Sequence, residues 1–226
     1  MAAPGSTSAP VNLAFAQYCE AIFELAEDEV EVIQARIAER LGVSRPAVSE
    51  MVRRLEHEGY VELDGGIRLT PSGRLLAERT VRRHRLAERM LTDLLGLSWS
   101  EAHVEAARWE GVISPTVEEA INRVLGDPTT CPHGNPIPGS DYAPPTTVAL
   151  DEVPVGTRFQ VIRIPEELEF TSGLLPFLES AGVTPGNTGT VTASSPDGTL
   201  TIEVGGHHVG IGAFAAERIL VTVPEA

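Results

Sequence analysis

The stretch ARIAERLGVSRPAVSEMVRRLEHEG, residues 35–59, reads as two helices joined by a tight turn. Ile33, Ile37 and Leu41 recur every four residues, giving an apolar face from about Val32 to Leu41, and Gly42 supplies the left-handed conformation that ends a helix. Ser44 is placed to cap the next helix, Pro46 falls in its first turn, where a missing N–H costs nothing, and Gly59 stops it. Within that helix Val48, Val52 and Leu55 form an inward stripe, while Arg45, Ser49 and Arg53, four apart, lie on another face. Upstream, Leu13, Ala14, Ala21, Ile22 and Leu25 predict a further helix. Downstream, Tyr60–Leu63, the turn Asp64-Gly65-Gly66 and Ile67–Leu69 predict a short hairpin. Helix, helix, turn, helix, hairpin is the order of a winged helix-turn-helix.

Beyond it, a long helix is predicted from about Ser72 to Leu95, another after Trp99, and a third from Ser114-Pro115 to near Leu125-Gly126. From Asp127 to about Leu150 the chain carries Pro128, Pro132, Pro136, Pro138, Pro144 and Pro145 and reads mostly as a linker. The period then changes. Phe159–Ile164, Thr188–Thr192, Leu200–Val204, Val209–Ile211 and Ile219–Val223 predict five strands, interrupted by one helix at about Ser172–Ala181, which suggests a small SH3-like barrel. The expected class is α+β: a disordered leader (1–10), a winged helix-turn-helix (11–75), a helical dimerisation and metal-binding domain (76–140), a Pro-rich linker (141–150) and an SH3-like domain (151–226).

The 226 residues carry 17 basic and 32 acidic groups, net −15, and every basic residue is arginine. A protein that coats nucleic acid or an anionic membrane by bulk charge is excluded, as are a Schiff-base lysine and a P-loop lysine. Cys19 and Cys131 are too few for a disulfide scaffold. No window is apolar for the roughly 18 to 20 residues of a membrane span, and no leader is apolar enough for export, so a cytoplasmic protein is expected. No nucleophile, acid and base constellation suggests an enzyme.

The polar edge of the third helix has DNA-reading chemistry. Serine hydroxyls bond phosphates or bases, and arginine neutralises phosphate or reads guanine. The expected contact set is Gln34, Ser44, Arg45, Pro46, Ala47, Ser49, Glu50, Arg53 and Arg68, the last on the wing. Glu50 is awkward, because a carboxylate facing phosphates costs affinity unless it accepts from a cytosine amino group. The competing reading pairs these arginines with Glu50, Glu56 and Glu58 on a solvated face. No zone is net basic, so recognition must rest on a few placed arginines, with weak non-specific binding and strong salt sensitivity. Elsewhere, His84 and Glu88 are four apart on a helical segment and could chelate one divalent ion. Cys131-Pro-His133 offers two ligands in a Pro-rich loop, which suits a structural role better than a zinc site, and His207-His208 should face opposite ways in a strand.

Several runs in fixed order, Ala35–Leu41, Ser44–Ser49, Arg83–Arg89, His103–Glu110 and Asp127–Gly139, closely resemble the diphtheria-toxin-repressor family of iron-dependent regulators, over nearly the whole chain from about Ala14. The resemblance implies a homodimer that binds palindromic double-stranded operator DNA when Fe(II) or Mn(II) is present and represses metal-uptake or metal-homeostasis genes. Co(II), Ni(II) or Zn(II) would substitute in vitro. It places His84, Glu88, His103, Glu166 and Glu169 at the family's ancillary metal site, the last two contributed by the SH3-like domain. At the family's regulatory site this chain has Gln17, Ala107, Glu110 and Gly111, of which only Glu110 is a strong ligand; Glu20 matches a carboxylate of manganese-type members. A second site this depleted implies metal control through the first site alone, constitutive binding, or another effector. A metal-handling protein that does not bind DNA is the alternative from a different class.

Overall fold

The computed structural model describes residues 12–224, so the predicted leader falls outside the described residues. The chain forms two compact units, one up to Thr80 and one from Val81.

In the first unit α1 (Leu13–Glu27), α2 (Gln34–Leu41) and α3 (Arg45–His57) precede a hairpin of β1 (Val61–Glu62) and β2 (Arg68–Leu69). The punctuation acts as the sequence suggests: Asn12 caps α1, Gly42 ends α2 at φ 63, and Ser44 accepts from the Ala47 amide. Phe15, Ile22, Leu25, Ile37, Val48, Val52 and Leu55 are buried in one core, whereas Leu13 lies exposed at the first turn of α1. Arg40 is inside as well, 2.8 Å from Glu24, tying α2 to α1.

α4 (Pro71–Arg89) begins in the first unit and carries on into the second. The predicted helix to Leu95 is α-helical only to Arg89. Met90–Leu94 is a π turn, in which the Leu95 amide reaches back five residues to the Met90 carbonyl at 3.3 Å. α5 (Trp99–Trp109) starts at a Ser98–Glu101 capping box and α6 (Pro115–Val124) at Ser114.

The predicted linker is only partly one: residues 141–147 are irregular and mostly exposed, but the chain on either side of them is packed. Thr130 bridges to Pro136, residues 131–135 are all buried, and Val148–Ala149 forms a strand, β3, followed by fully buried Leu150. The prolines restrict the backbone to a compact strap, and three arginines one turn apart on α4 hold its carbonyls: Arg82 that of Pro138, Arg85 that of Pro136 and Arg89 that of Thr130.

Among the described residues the last region has six strands rather than five. They are β3, β4 (Arg158–Arg163), β5 (Thr188–Ser194), β6 (Leu200–Val204), β7 (His207–Ile211) and β8 (Leu220–Thr222), antiparallel in the order β3-β8-β4-β5-β6-β7. Register shifts interrupt the β4–β8 and β5–β6 ladders. The single predicted helix is α8 (Leu174–Ser180), and two four-residue helices, α7 (Glu166–Glu169) and α9 (Ala213–Ala216), add to it. Alternate strand residues such as Phe159, Val161, Val191 and Ile202 fill its core with Leu168 and Leu178.

Candidate metal centre and nucleic-acid interface

α3 presents a polar face to solvent because its apolar residues are confined to one stripe. Arg45, Pro46, Ala47, Glu50 and Arg53 are exposed and Ser49 is half-buried at the edge; Gln34 on α2, Ser44 and Arg68 on β2 are exposed too. The pairing of these arginines with Glu50, Glu56 and Glu58 does not occur among the described residues. Of the seven arginines between residues 1 and 75, Arg36 pairs with Glu39, Arg40 with Glu24, Arg74 with Glu78, and Arg54 lies over the Phe15 ring. Arg45, Arg53 and Arg68 have no such partner there.

In the second unit α4, α5 and α7 bring five expected residues together: His84, Glu88, His103, Glu166 and Glu169. Helical spacing puts Glu88 one turn beyond His84, and its Oε1 lies 3.1 Å from His84 Nε2 and 3.0 Å from His103 Nδ1. His103 Nδ1 also lies 3.1 Å from Glu169 Oε2, which in turn is 3.0 Å from His133 Nδ1. Imidazoles and carboxylates therefore alternate along a chain from Glu110, which is 2.8 Å from His84 Nδ1, to His133.

His133, which the sequence places in a structural loop, joins this cluster. It is completely buried, against Glu169 and edge-on to the Trp99 ring at 4.7 Å, with Cys131 Sγ 3.8 Å from its Nδ1. Glu88, Cys131 and His133 make a further group of potential ligands. The Cys131-Pro-His133 run is a signal, but nothing in the sequence says that a Pro-rich segment returns to α4. Asn135 completes the anchoring: its Nδ2 donates to Glu169 Oε1 at 2.8 Å and to the Ile164 carbonyl, and its Oδ1 accepts from Arg163. Fully buried Arg85 donates to Glu166 Oε1 through Nε and Nη2 at 3.3 and 3.2 Å.

The burial is charged, and the charges compensate. Burial alone would lower the His84 and His133 pKa values, but Glu88 with Glu110, and Glu169 with Glu88, raise them well above the ordinary imidazole value. Against the same burial penalty, His103 is pushed up to about 10 by Glu169 and Glu88. Burial works to raise Glu169, yet the His133 charge and its hydrogen bonds to His103 and His133 lower it to about 2. Glu166 is raised by burial and by Glu169, and Arg85 only partly offsets this.

Within the cluster, Glu88 Oε2, His133 Nε2 and Glu166 Oε2 are buried and make no hydrogen bond among the described residues. Buried polar atoms without a hydrogen bond cost roughly 1–3 kcal/mol each, so they point to a group that completes them. Imidazole nitrogens and carboxylate oxygens suit Fe(II), Mn(II) or Zn(II), and the donor set fits a divalent ion held by His84, Glu88, His103, Glu166 and Glu169, with His133 and Cys131 beside them. A bound ion would neutralise the acidic cluster and replace the protons that now hold it together.

Loading should accordingly release protons. Metal ligation needs neutral imidazoles, whereas in the unloaded cluster the neighbouring carboxylates favour the protonated form, pushing His103 up to about 10 and raising His84 and His133 well above the ordinary imidazole value. Calorimetric titration with Mn(II) at pH 7 in two buffers of different ionisation enthalpy should give apparent enthalpies that differ by at least one proton per metal; identical enthalpies would contradict this. The unloaded cluster's stability has a matching window. The raised His103 contributes fully below about 6.5 and loses its contribution as pH rises through about 10. The lowered Glu169 contributes above about 4.5 and is lost as pH falls towards 2.

The strap depends on Gly134. Its φ is +88, and a Cβ there would lie 2.1 Å from the Ile162 carbonyl oxygen, which belongs to rigid β4 backbone. Gly134→Ala should destabilise the second unit by about 2–4 kcal/mol and weaken Mn(II) binding by moving His133. Thermal unfolding with and without Mn(II) checks both effects.

The remaining expected positions divide into those with a ligand atom and those without. Ala107 and Gly111 are exposed and carry no donor, Gln17 is exposed on α1, and Glu20 is buried on the same helix. Glu110 is buried but engaged by His84. His207 and His208 are exposed on β7, with His208 opposite Glu203. The thiol of Cys19, pushed up to about 12 by burial in the first core, is unreactive packing.

Known proteins carry the same parts in the same order. Residues 15–65 match the model for the iron dependent repressor, N-terminal DNA binding domain; residues 70–139 match the iron dependent repressor, metal binding and dimerisation domain; residues 148–223 match the FeoA domain. The chain is 41% identical over 205 residues to the iron-dependent repressor IdeR of Mycobacterium tuberculosis, covering 84% of this chain and 88% of that one. It is 38% identical over 203 residues to the diphtheria toxin repressor of Corynebacterium diphtheriae, covering 85% and 89%. Among solved structures, a manganese-dependent transcriptional repressor in complex with manganese superposes with a TM-score of 0.83 at 32% identity, over 93% of this chain and all of that one. With DNA-binding, metal-binding and FeoA regions matched in sequence and the closing region folded as an SH3-like sheet, the chain belongs to the iron-dependent repressor family.

Proposed function

We propose that the protein is a homodimeric repressor that binds operator DNA through α3 and the β1–β2 wing, under the control of Fe(II) or Mn(II) held by the His84, Glu88, His103, Glu166 and Glu169 cluster. The observation that carries the reading is the set of three arginines, Arg45, Arg53 and Arg68, that have no acidic partner among the described residues while Arg36, Arg40 and Arg74 are paired. Arginine exposed on a recognition helix and wing is positioned for phosphate and guanine, and a dimer supplies the second half-site. The relatives named above are iron- and manganese-dependent repressors, which supports the choice of metals. Domain limits of 11–75, 76–140 and 151–226 belong to the same reading, supported by family spans of 15–65, 70–139 and 148–223. Among the described residues no helix is long and apolar enough to cross a membrane, and the site of action proposed is the cytoplasm.

Footprinting on genomic fragments under anaerobic conditions tests the proposal. Protection of paired half-sites at lower protein concentration with Mn(II) or Fe(II) than with chelator is expected. No specific protection under any metal condition would refute it. A second reading, a repressor that has lost metal control, is favoured by the donorless Ala107 and Gly111; it would give protection indifferent to metal.

A further inference from the structure

The outward crest of the recognition helix is a carboxylate. The buried stripe of α3 is Val48, Val52 and Leu55. At about 100° per residue, Glu50 points within about 15° of directly opposite that stripe. Arg45 and Ser49 are turned towards the flank, and Arg53 stands between that flank and the crest. Pro46, one turn earlier, is the other residue near the crest in the N-terminal half of the helix, which is the half that meets base edges when a helix enters the major groove. Glu50 is exposed and has no hydrogen bond or ion pair among the described residues, although Arg53 and Arg54 follow it within about one turn.

From this geometry we infer that Glu50 is a specificity-determining residue that reads a cytosine amino group in each operator half-site. The inference rests on the DNA-binding reading above and names the base it selects. Four bases could face the crest, and three are disfavoured. Guanine shows O6 and N7 and thymine shows O4, all acceptors that repel a carboxylate. Adenine offers an amino group but places the N7 acceptor beside it, so a second carboxylate oxygen meets repulsion. Cytosine offers its N4 donor beside a C–H edge, which is the one arrangement that returns a hydrogen bond without a penalty. The net effect is discrimination more than affinity: the wrong base leaves a desolvated carboxylate unpaired. Arg45, Arg53 and Arg68 supply the phosphate attraction that makes such a negative reader tolerable in an acidic chain.

The experiment is selection from a randomised duplex pool with the full-length protein in Mn(II), run in parallel for wild type, Glu50→Ala and Glu50→Gln. Because the side chain is exposed and unpaired, neither substitution should disturb folding, which thermal unfolding verifies. Wild type should enrich cytosine at one position of each half-site, and changing that base in a selected duplex should weaken binding roughly ten- to a hundredfold. Glu50→Ala should lose the preference at that position alone and keep the rest of the site, while Glu50→Gln should move it towards adenine, which glutamine reads bidentately. Identical selected sequences for wild type and Glu50→Ala, with the variant simply binding every duplex more tightly, would overturn the inference and leave the repressor reading standing. A wild-type pool that enriches no sequence would overturn both.

Discussion

Replacing Glu88 by glutamine is expected to weaken Mn(II) binding by at least about a hundredfold and to lower the thermal stability of the metal-free protein. Glu88 is fully buried, and its Oε1 is shared by His84 and His103 while its Oε2 lies 3.7 Å from His133. The amide is nearly isosteric, so the packing survives, but a neutral group replaces the charge that compensates three imidazoles. Removing one partner of a buried ionic cluster typically costs about 3–5 kcal/mol, because the others stay buried without their counter-charge. The same change removes a hard anionic ligand, which is the larger effect on metal affinity. Competition against a fluorescent chelator and thermal unfolding read the two effects separately. Unchanged metal affinity would mean that the cluster is a structural ion-pair network and nothing more. Arg108→Ala serves as a control, because its pair with Glu105 is exposed and should contribute little.

The second large effect falls on the other unit. Arg45→Ala combined with Arg53→Ala should weaken operator binding by roughly a hundredfold at physiological salt, with folding unchanged, because neither side chain has a partner to lose among the described residues. The salt dependence should change as well. Each phosphate that is no longer neutralised should reduce the slope of log affinity against log salt by about one, hence about two per bound protomer. Fluorescence anisotropy across a salt series checks this. A double variant with the wild-type slope would place the phosphate-binding groups elsewhere.

What is legible in the sequence follows from how local the signals are. Ser44, Pro46 and Gly59 fix α3 almost to the residue because caps and breakers act on their own neighbours. Gly42, at φ 63, does the same for α2. His84 and Glu88 can be paired from helical spacing alone, but His103, Glu166 and Glu169 join them only through family resemblance, since the five sit on three separated segments that tertiary structure alone unites. The strap is illegible for the same reason. A run of prolines signals a lack of regular structure, and regular structure is a different thing from burial. Residues 131–135 lie buried between the carbonyls of Thr130, Pro136 and Pro138, which Arg89, Arg85 and Arg82, far away in sequence, satisfy. That long-range anchoring is what brings His133 to the cluster. The four-residue helices α7 and α9 are too short to show a period, so the third region looks simpler in sequence than it is.

In the proposed function, metal in the buried cluster controls DNA binding. A metal can shift that equilibrium only through different affinities for the two states, so metal occupancy and DNA affinity must rise together. The direct measurement is operator affinity as a function of free Mn(II), made anaerobically with wild type and Glu88→Gln side by side. The expected result is a rise of about tenfold or more for wild type, centred on the metal concentration that fills the cluster, and a flat response at the metal-free level for Glu88→Gln. Equal wild-type affinity in chelator and in saturating Mn(II), or the same rise in both proteins, would contradict it.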